Sequence, residues 1–404
     1  MSLTDSQLGR AQRALAAALD GSGPPVELTA DGRVLDRPEA TDPARGGSAD
    51  VVAVVRTSGS TGTPKQTLLT RESLAASADA TAARIGGEGQ WLLAVGLEFV
   101  AGLAVLSRSL RSGTTPVPVA PGPFTARSFA EATDRLERGT GFRAVSLVPT
   151  QLARLLGPTA PDDGAGPDRL ALDALRTFDA VLVGGARVPD ALRAAAADAD
   201  INLHLTYGMS ETCGGCVYDG VPLDGVTADL VGEELPRLRL AGPMVAAGYL
   251  DDPERTASHF GAGPGAESFL TEDTGTVAPH PHRPRAQIIT VTGRVDDVLN
   301  TGGVKVSAAR IQQVLESLPG VRAAFAGGVP DDEWGQRVCA AVALGPGAGV
   351  VGHPFSEAAA RDAVRTELGP AAVPKDWLVL DALPLLPNGK TDRQSLLSRF
   401  TPTP

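Results

Sequence analysis

Apolar and polar positions follow helical spacing in some stretches of this 404-residue chain and run continuously in others. Leu8, Ala11, Leu15 and Leu19 recur at helical spacing, which predicts an amphipathic helix over residues 5–20 stopped by Gly21. Residues 21–50 are rich in Gly, Pro, Asp and Ala and predict an irregular lead-in with one short strand. Val51–Val55 is apolar throughout, as expected of a strand buried on both faces. Short strands are then predicted at Thr67–Leu69, Trp91–Val95, Pro116–Val119, Ala144–Val148, Ala180–Val183 and Ile201–Leu205. Between them come helices from Thr70 to Arg84, Glu98 to Arg111, 125–138 and Pro149–Leu156, with a loop over 157–168. This alternation predicts an α/β fold of mainly parallel sheets flanked by helices.

Residues 213–270 are rich in strands and turns and predict a small β subdomain. Beyond them, Ser307 opens a helix carrying Ile311, Val314, Leu315 and Leu318. Val321–Ala326 and Val338–Leu344 read as paired strands, followed by a loop over 345–356, a helix over 357–368 and a strand at Trp377–Leu380. The expected organisation is a large domain over 1–295 and a small, mobile α+β domain over 296–404.

Composition narrows the function. Aromatic residues make up 4% of the chain, so Ala, Val and Leu must fill most of the core. A formal charge of −11 argues against a general nucleic-acid binder or a polybasic membrane surface. No apolar run reaches membrane-spanning length and no signal peptide is evident, so a cytoplasmic protein is expected. Cys213, Cys216 and Cys339 give no disulfide framework. Cys213 and Cys216 have redox-pair spacing, but no second pair or spaced histidines complete a zinc site.

The candidate chemistry begins at Thr57-Ser58-Gly59-Ser60-Thr61-Gly62-Thr63-Pro64-Lys65. Hydroxyls, glycines and one ammonium directly after a buried strand suit a loop that cradles phosphates. It is not a Walker A loop, since no Gly-Lys-Ser/Thr closes it. On its own the stretch also fits a polar surface turn. Further along, an apolar strand meets Gly184-Gly185-Ala186 before a helix, which places open backbone at a strand's C-terminal edge. Taken alone, this is a tight strand–helix turn.

The series resembles the adenylate-forming superfamily: acyl- and aryl-CoA synthetases, peptide-synthetase adenylation domains and luciferases. Five further segments carry the likeness, in the family's order. They are Gly184-Gly185-Ala186, Tyr207-Gly208-Met209-Ser210-Glu211, Thr271-Glu272-Asp273, Gly293-Arg294-Val295-Asp296-Asp297, and Pro384 through Gly389-Lys390 to Arg393. The resemblance implies a phosphate loop over Thr57–Lys65 and an adenine-facing turn at Gly184, Gly185 and Ala186. Tyr207, Gly208 and Met209 would line the nucleotide. Ser210 would bond a phosphate oxygen, and Glu211 would be the Mg²⁺ ligand. Asp273 would take the ribose hydroxyls and Arg294 the ribose or a phosphate, although Glu272 stands where the family has glycine. Asp296 would be the hinge, and Gly302 and Gly303 would border the coenzyme A tunnel. Lys390 would stabilise charge gathering on the α-phosphate and departing pyrophosphate. The implied reaction is acid + ATP + CoA to acyl-CoA, AMP and pyrophosphate. A non-catalytic nucleotide-binding relative is the alternative of a different class.

Ala18–Pro24, Gln90–Ala94 and Thr206–Tyr218 are similar to compact o-succinylbenzoate–CoA ligases of actinobacterial menaquinone synthesis. That likeness implies a small-molecule carboxylic acid as partner. One departure stands out. Where those ligases carry histidines, this chain has Glu98-Phe99, beside Gly102 in the segment that borders the acyl pocket together with Gly208. A carboxylate there would repel a dianionic acid, unless it faces solvent or meets Arg108. A different carboxylic acid of secondary metabolism, or a carrier-protein thiol as acceptor, is therefore the alternative.

Overall fold

The computed structural model describes residues 4–57, 64–136, 141–157, 169–263, 266–283, 286–344, 355–386 and 391–401. The first helix spans Asp5–Asp20. The Thr4 hydroxyl accepts from Gln7 N–H at its start, and Gly21 at φ 82° ends it in the left-handed conformation that glycine adopts without strain. Its buried stripe is Leu8, Ala11, Leu15 and Ala18, with Leu19 on the flank. The lead-in after it is more ordered than its composition predicts. It forms two short strands, Val26–Leu28 and Val34–Asp36, and two 3₁₀ turns, Pro38–Thr41 and Pro43–Arg45.

The chain forms two compact units. The first comprises 1–229, 239–271 and 277–289. Its first sheet runs in the order Gly248–Tyr249, Lys65–Thr70, Val51–Thr57, Val26–Leu28, Val34–Asp36. Val51–Thr57 and Lys65–Thr70 pair antiparallel, with Thr57 opposite Lys65 and Arg56 opposite Gln66. The strand predicted at Thr67–Leu69 thus begins at Lys65, because ladder hydrogen bonds come from the backbone and do not require apolar side chains. Thr70 then caps the helix Arg71–Ile85, which ends at Gly86.

The second sheet is the parallel one. Its order is Val221–Pro222, Gly214–Tyr218, Leu203–Met209, Ala180–Gly184, Phe142–Leu147, Gly89–Leu93, Val117–Pro118. The pairs among the last five are parallel, and the two outer pairs at the other end are antiparallel. Leu92, Val145, Leu147, Val181 and Val183 pack with Phe129, Leu152 and Leu155 of the covering helices. The helix predicted from Glu98 begins at Val100, and the one predicted over 125–138 spans Ala126–Asp134 behind its Thr125 cap. The strand predicted at Trp91–Val95 lies at Gly89–Leu93. Of the loop predicted over 157–168, residues 158–168 lie outside the described residues.

The strand order reverses between Gly89–Leu93 and Phe142–Leu147, since the chain goes out to Val117–Pro118 and returns on the other side. Open α/β sheets bind ligands outside the C-terminal ends of their strands at such a reversal.

The second unit comprises 230–238, 272–276 and 290–404. The boundary cuts the strands Thr227–Val231, Arg237–Ala241, Ala266–Pro279 and Gln287–Arg294. Within this unit Val321–Asp331 and Gly335–Leu344 form a long antiparallel hairpin, with Asp376–Leu380 parallel to its second strand. Ala340 and Val342 face the helix residues Ile311, Val314 and Val364, whereas Ala341 and Ala343 face Leu396 and Phe400. This two-residue alternation explains why one apolar run serves two clusters. Among the described residues, no helix is long and apolar enough to cross a membrane.

Candidate active site

The hairpin brings Thr57 and Lys65 together as the last paired residues before the connecting segment. Ser58, Gly59, Ser60, Thr61, Gly62 and Thr63 lie outside the described residues. The Lys65 ammonium is 3.8 Å from Glu211 Oε1 and 5.4 Å from the centre of the Tyr249 ring. Glu211 is buried in the 3₁₀ turn Ser210–Thr212, where its Oε1 accepts the Tyr249 hydroxyl at 2.6 Å. Its main-chain carbonyl accepts Ala246 N–H at 2.9 Å. The second carboxylate oxygen has no hydrogen-bond partner among the described residues. Burial and the Glu211 charge push the Tyr249 hydroxyl above its ordinary pKa, which keeps it a donor. Tyr249 is a residue that the sequence motifs did not single out. Its signal lies in the register, which sets it opposite Thr67, two residues from Lys65.

Register also gathers the adenine-turn candidates. Gly184 pairs with Thr206, so Gly185 and Ala186 leave one parallel strand beside the point where Tyr207 leaves the next. A Cβ on Gly184 would lie 2.2 Å from Thr206 Oγ1, and Gly185 has φ 83°. Both positions therefore require glycine. At Gly208 a Cβ would meet the Gly214 carbonyl at 2.0 Å, so the family's glycine here lets the antiparallel strand Gly214–Tyr218 close against it. Met209 N–H donates to Thr212 Oγ1, and Ser210 is buried beside it. Cys213 and Cys216 are free buried thiols, each pushed up to about 12 by desolvation. Cys213 Sγ donates to the Ser73 hydroxyl at 3.1 Å. These thiols are packing residues without nucleophilic character.

Glu98 and Phe99 follow the C-terminal end of Gly89–Leu93, on the same sheet edge as the glycine turn. Phe99 is the cap residue of the helix Val100–Arg111. Gly102 lies so close to the Gly96 carbonyl that a Cβ would reach it at 2.2 Å. Glu98 does not meet Arg108. Its half-buried carboxylate folds back over Gly96 and has no hydrogen-bond or ion-pair partner among the described residues. Arg108 is buried elsewhere, donating to Thr81 Oγ1 at 3.0 Å and lying over the Trp91 ring.

The remaining candidates belong to the second unit. Arg294 donates through Nη1 to Asp273 at 3.1 Å and grips Asp296 through Nε and Nη2 at 2.8 and 3.0 Å. The fork expected to face ribose or phosphate thus faces two carboxylates. Burial, the largest single influence, would raise the Asp296 carboxyl, but the hydrogen bonds and charge of Arg294, with a backbone hydrogen bond and the Arg393 charge, together outweigh it and hold the group below the ordinary 3.8. Burial raises neighbouring Asp297 despite its 2.8 Å pair with Arg393. Gly302 and Gly303, at φ 59° and 78°, form the two-residue turn of the hairpin between Val298–Thr301 and Val304–Ser307. Two consecutive positive φ values are what such a turn demands, and that accounts for the glycine pair at this position. Lys390 lies outside the described residues, while Leu385 and Thr391 on either side of its segment pair antiparallel.

Residues 4–250 match the AMP-binding enzyme family, and residues 310–390 match its C-terminal domain. The chain belongs to the AMP-binding enzyme family. A probable 2-succinylbenzoate–CoA ligase of Mycobacterium tuberculosis is 40% identical over 354 residues, covering 87% of this chain and 85% of its own length. The 2-succinylbenzoate–CoA ligase of Geobacillus kaustophilus is 30% identical over 403 residues, covering 94% of this chain and 75% of its own. Among solved structures, the amide bond synthetase McbA from Marinactinospora thermotolerans superposes with a TM-score of 0.70 at 26% identity, over 92% of this chain and 72% of that one. The expected superfamily and its α/β architecture are therefore met.

Members of the AMP-binding enzyme family act on nucleotides, so the fit of Glu211 to Mg²⁺ can be asked of the geometry. Magnesium is usually held by one or two carboxylates and the substrate's phosphates, not by a protein cage. Among the described residues, Glu211 offers one hard oxygen without a hydrogen-bond partner, and no cluster of three or more metal-ligating side chains occurs. The site fits that mode.

Two outcomes are expected from this geometry. Tyr249→Phe leaves the buried Glu211 carboxylate without its hydroxyl donor and should lower unfolding stability by about 1–3 kcal/mol in urea denaturation. Because the Asp296 pKa is depressed on folding, its contribution is present above 3.8 and fades as pH falls below that value. Asp296→Asn should therefore lower the thermal midpoint near about pH 7 and lose most of that difference near about pH 2.

Proposed function

We propose that this protein is an AMP-forming acid–CoA ligase whose acid is 2-succinylbenzoate. The observation that carries the substrate is the 40% identity to a probable 2-succinylbenzoate–CoA ligase along 85% of that protein. The reaction class has separate support from the grouping of Lys65, Glu211 and Tyr249 at the root of a hydroxyl-rich connection.

In this reading the acid's carboxylate attacks the α-phosphorus of ATP and pyrophosphate leaves. The thiol of coenzyme A then attacks the acyl carbonyl and AMP leaves. Mg²⁺, when bound, neutralises charge on the phosphates, and Glu211 is the residue that would hold it. The Thr57–Lys65 segment binds the phosphates through hydroxyls, backbone N–H groups and the Lys65 ammonium. Gly184, Gly185, Ala186, Tyr207, Gly208 and Met209 bind the adenine and acyl side of the adenylate, and Ser210 bonds a phosphate oxygen. Asp273 takes the ribose hydroxyls, as a carboxylate can accept from both. Arg294 supports the ribose by holding Asp273, and Asp296 is the hinge between the 1–295 and 296–404 domains. Gly302 and Gly303 border the path of the coenzyme A arm. Lys390 supplies an ammonium that strengthens its interaction as charge develops on the α-phosphate and pyrophosphate.

Glu98 favours a second reading. A carboxylate at the acyl-facing edge, without a partner among the described residues, suits an acid with a hydrogen-bond donor or positive charge better than a dianion.

Thioester formation from 2-succinylbenzoate, ATP and coenzyme A, followed by chromatography, tests the assignment. Product is expected. No product from this acid, with turnover of another acid, would replace the substrate and leave the reaction class standing. Transfer to a carrier-protein thiol in place of coenzyme A, run in parallel, identifies the acceptor. Lys390→Ala should abolish ATP–pyrophosphate exchange while leaving nucleotide binding measurable, and near-normal exchange would contradict the role given to Lys390.

A further inference from the structure

The first fifty residues contain none of the family's motifs, yet they contribute a buried charge network. Glu27, on Val26–Leu28, is 6% exposed and Arg37 is 7% exposed. Arg37 donates through Nη1 to Glu27, through Nε to Glu39 at 2.6 Å and through Nη2 to Gln66 at 2.7 Å. The other oxygen of Glu27 accepts Arg56 Nε at 2.5 Å. Arg56 and Gln66 face each other across the hairpin, one rung below Thr57 and Lys65. The network therefore reaches both strands at the last rung but one.

Taking ions out of water costs several kcal/mol each, and an apolar cluster of the same volume is often at least as stable. The neighbours Val26, Val54 and Leu68 are already buried and apolar, so stability does not require charge here. An ion network adds direction, because hydrogen bonds fix where each strand sits and apolar contacts do not. We propose that Glu27 and Arg37 are positioning residues for the phosphate loop, holding Arg56 and Gln66 so that the hairpin presents Thr57 and Lys65 in one fixed geometry. The proposal rests on the reading of Thr57–Lys65 as the ATP-phosphate loop. It gives the lead-in a part in nucleotide binding without any contact to the nucleotide.

The test compares wild type with the double variant Glu27→Leu/Arg37→Met, which replaces the pair by apolar groups, and with Gln66→Leu, which removes only the tie to the second strand. Three quantities are measured: binding of the fluorescent nucleotide mant-ATP, KM for ATP against KM for 2-succinylbenzoate, and the thermal midpoint. In the double variant the mant-ATP Kd and KM for ATP should rise about tenfold, with KM for the acid and the midpoint little changed. Gln66→Leu should move in the same direction by a smaller factor. Unchanged nucleotide affinity in a folded variant would overturn the proposal, as would an equal rise in both KM values, the mark of general structural damage. If the double variant fails to fold, Gln66→Leu decides by the same criteria. Failure of wild type itself to bind mant-ATP would remove the phosphate-loop reading and the proposal with it, a result distinct from an unaffected variant.

Discussion

A carboxylate that is 6% exposed needs donors or a counter-charge, and the way Glu211 meets that need ties the first unit together. Glu211 lies in the turn after the parallel sheet's strand Leu203–Met209, whereas Lys65 and Tyr249 both belong to the first sheet. One oxygen thus links the two sheets through a hydroxyl and an ammonium. The link is also selective. Tyr249 fills one side of the carboxylate and the ammonium sits at 3.8 Å, longer than a direct hydrogen bond, while the second oxygen has no hydrogen-bond partner among the described residues.

The same principle, carried by different residues, governs the second unit. Arg294 stands between Asp273 and Asp296, while Arg393 pairs with Asp297 next door. The planar guanidinium matches the two oxygens of Asp296 and still has a nitrogen for Asp273. A ribose or phosphate that reached Arg294 would compete with carboxylates already there. The arginine is accordingly committed to holding Asp273 and Asp296 in place.

Glycine does two separate jobs along this chain. At Gly184, Gly208 and Gly102 a side chain would collide with backbone or with a neighbouring hydroxyl, so the requirement is close approach. At Gly302 and Gly303 the requirement is the sign of φ in a two-residue turn. The motif position alone does not distinguish these reasons, and neither one by itself implies a ligand.

Much was legible from local order. Val51–Val55, the helix over 5–20, the Thr70 cap and the helix over 357–368 follow from apolar spacing and capping, which neighbouring residues decide among themselves. The motif series named the family and the order of its candidate residues. Tertiary pairing decided the rest. The lead-in looked irregular because a three-residue strand carries almost no periodic signal, and Val26–Leu28 is a strand because it pairs with Val34–Asp36 on one side and Val51–Thr57 on the other. Tyr249 gained its role from a register that sets it opposite Thr67, and strand pairing brought Asp273 within reach of Arg294, whose other partner, Asp296, is only two residues away. Spacing along a chain fixes which face a side chain takes, but partners far apart in sequence are chosen only when strands align.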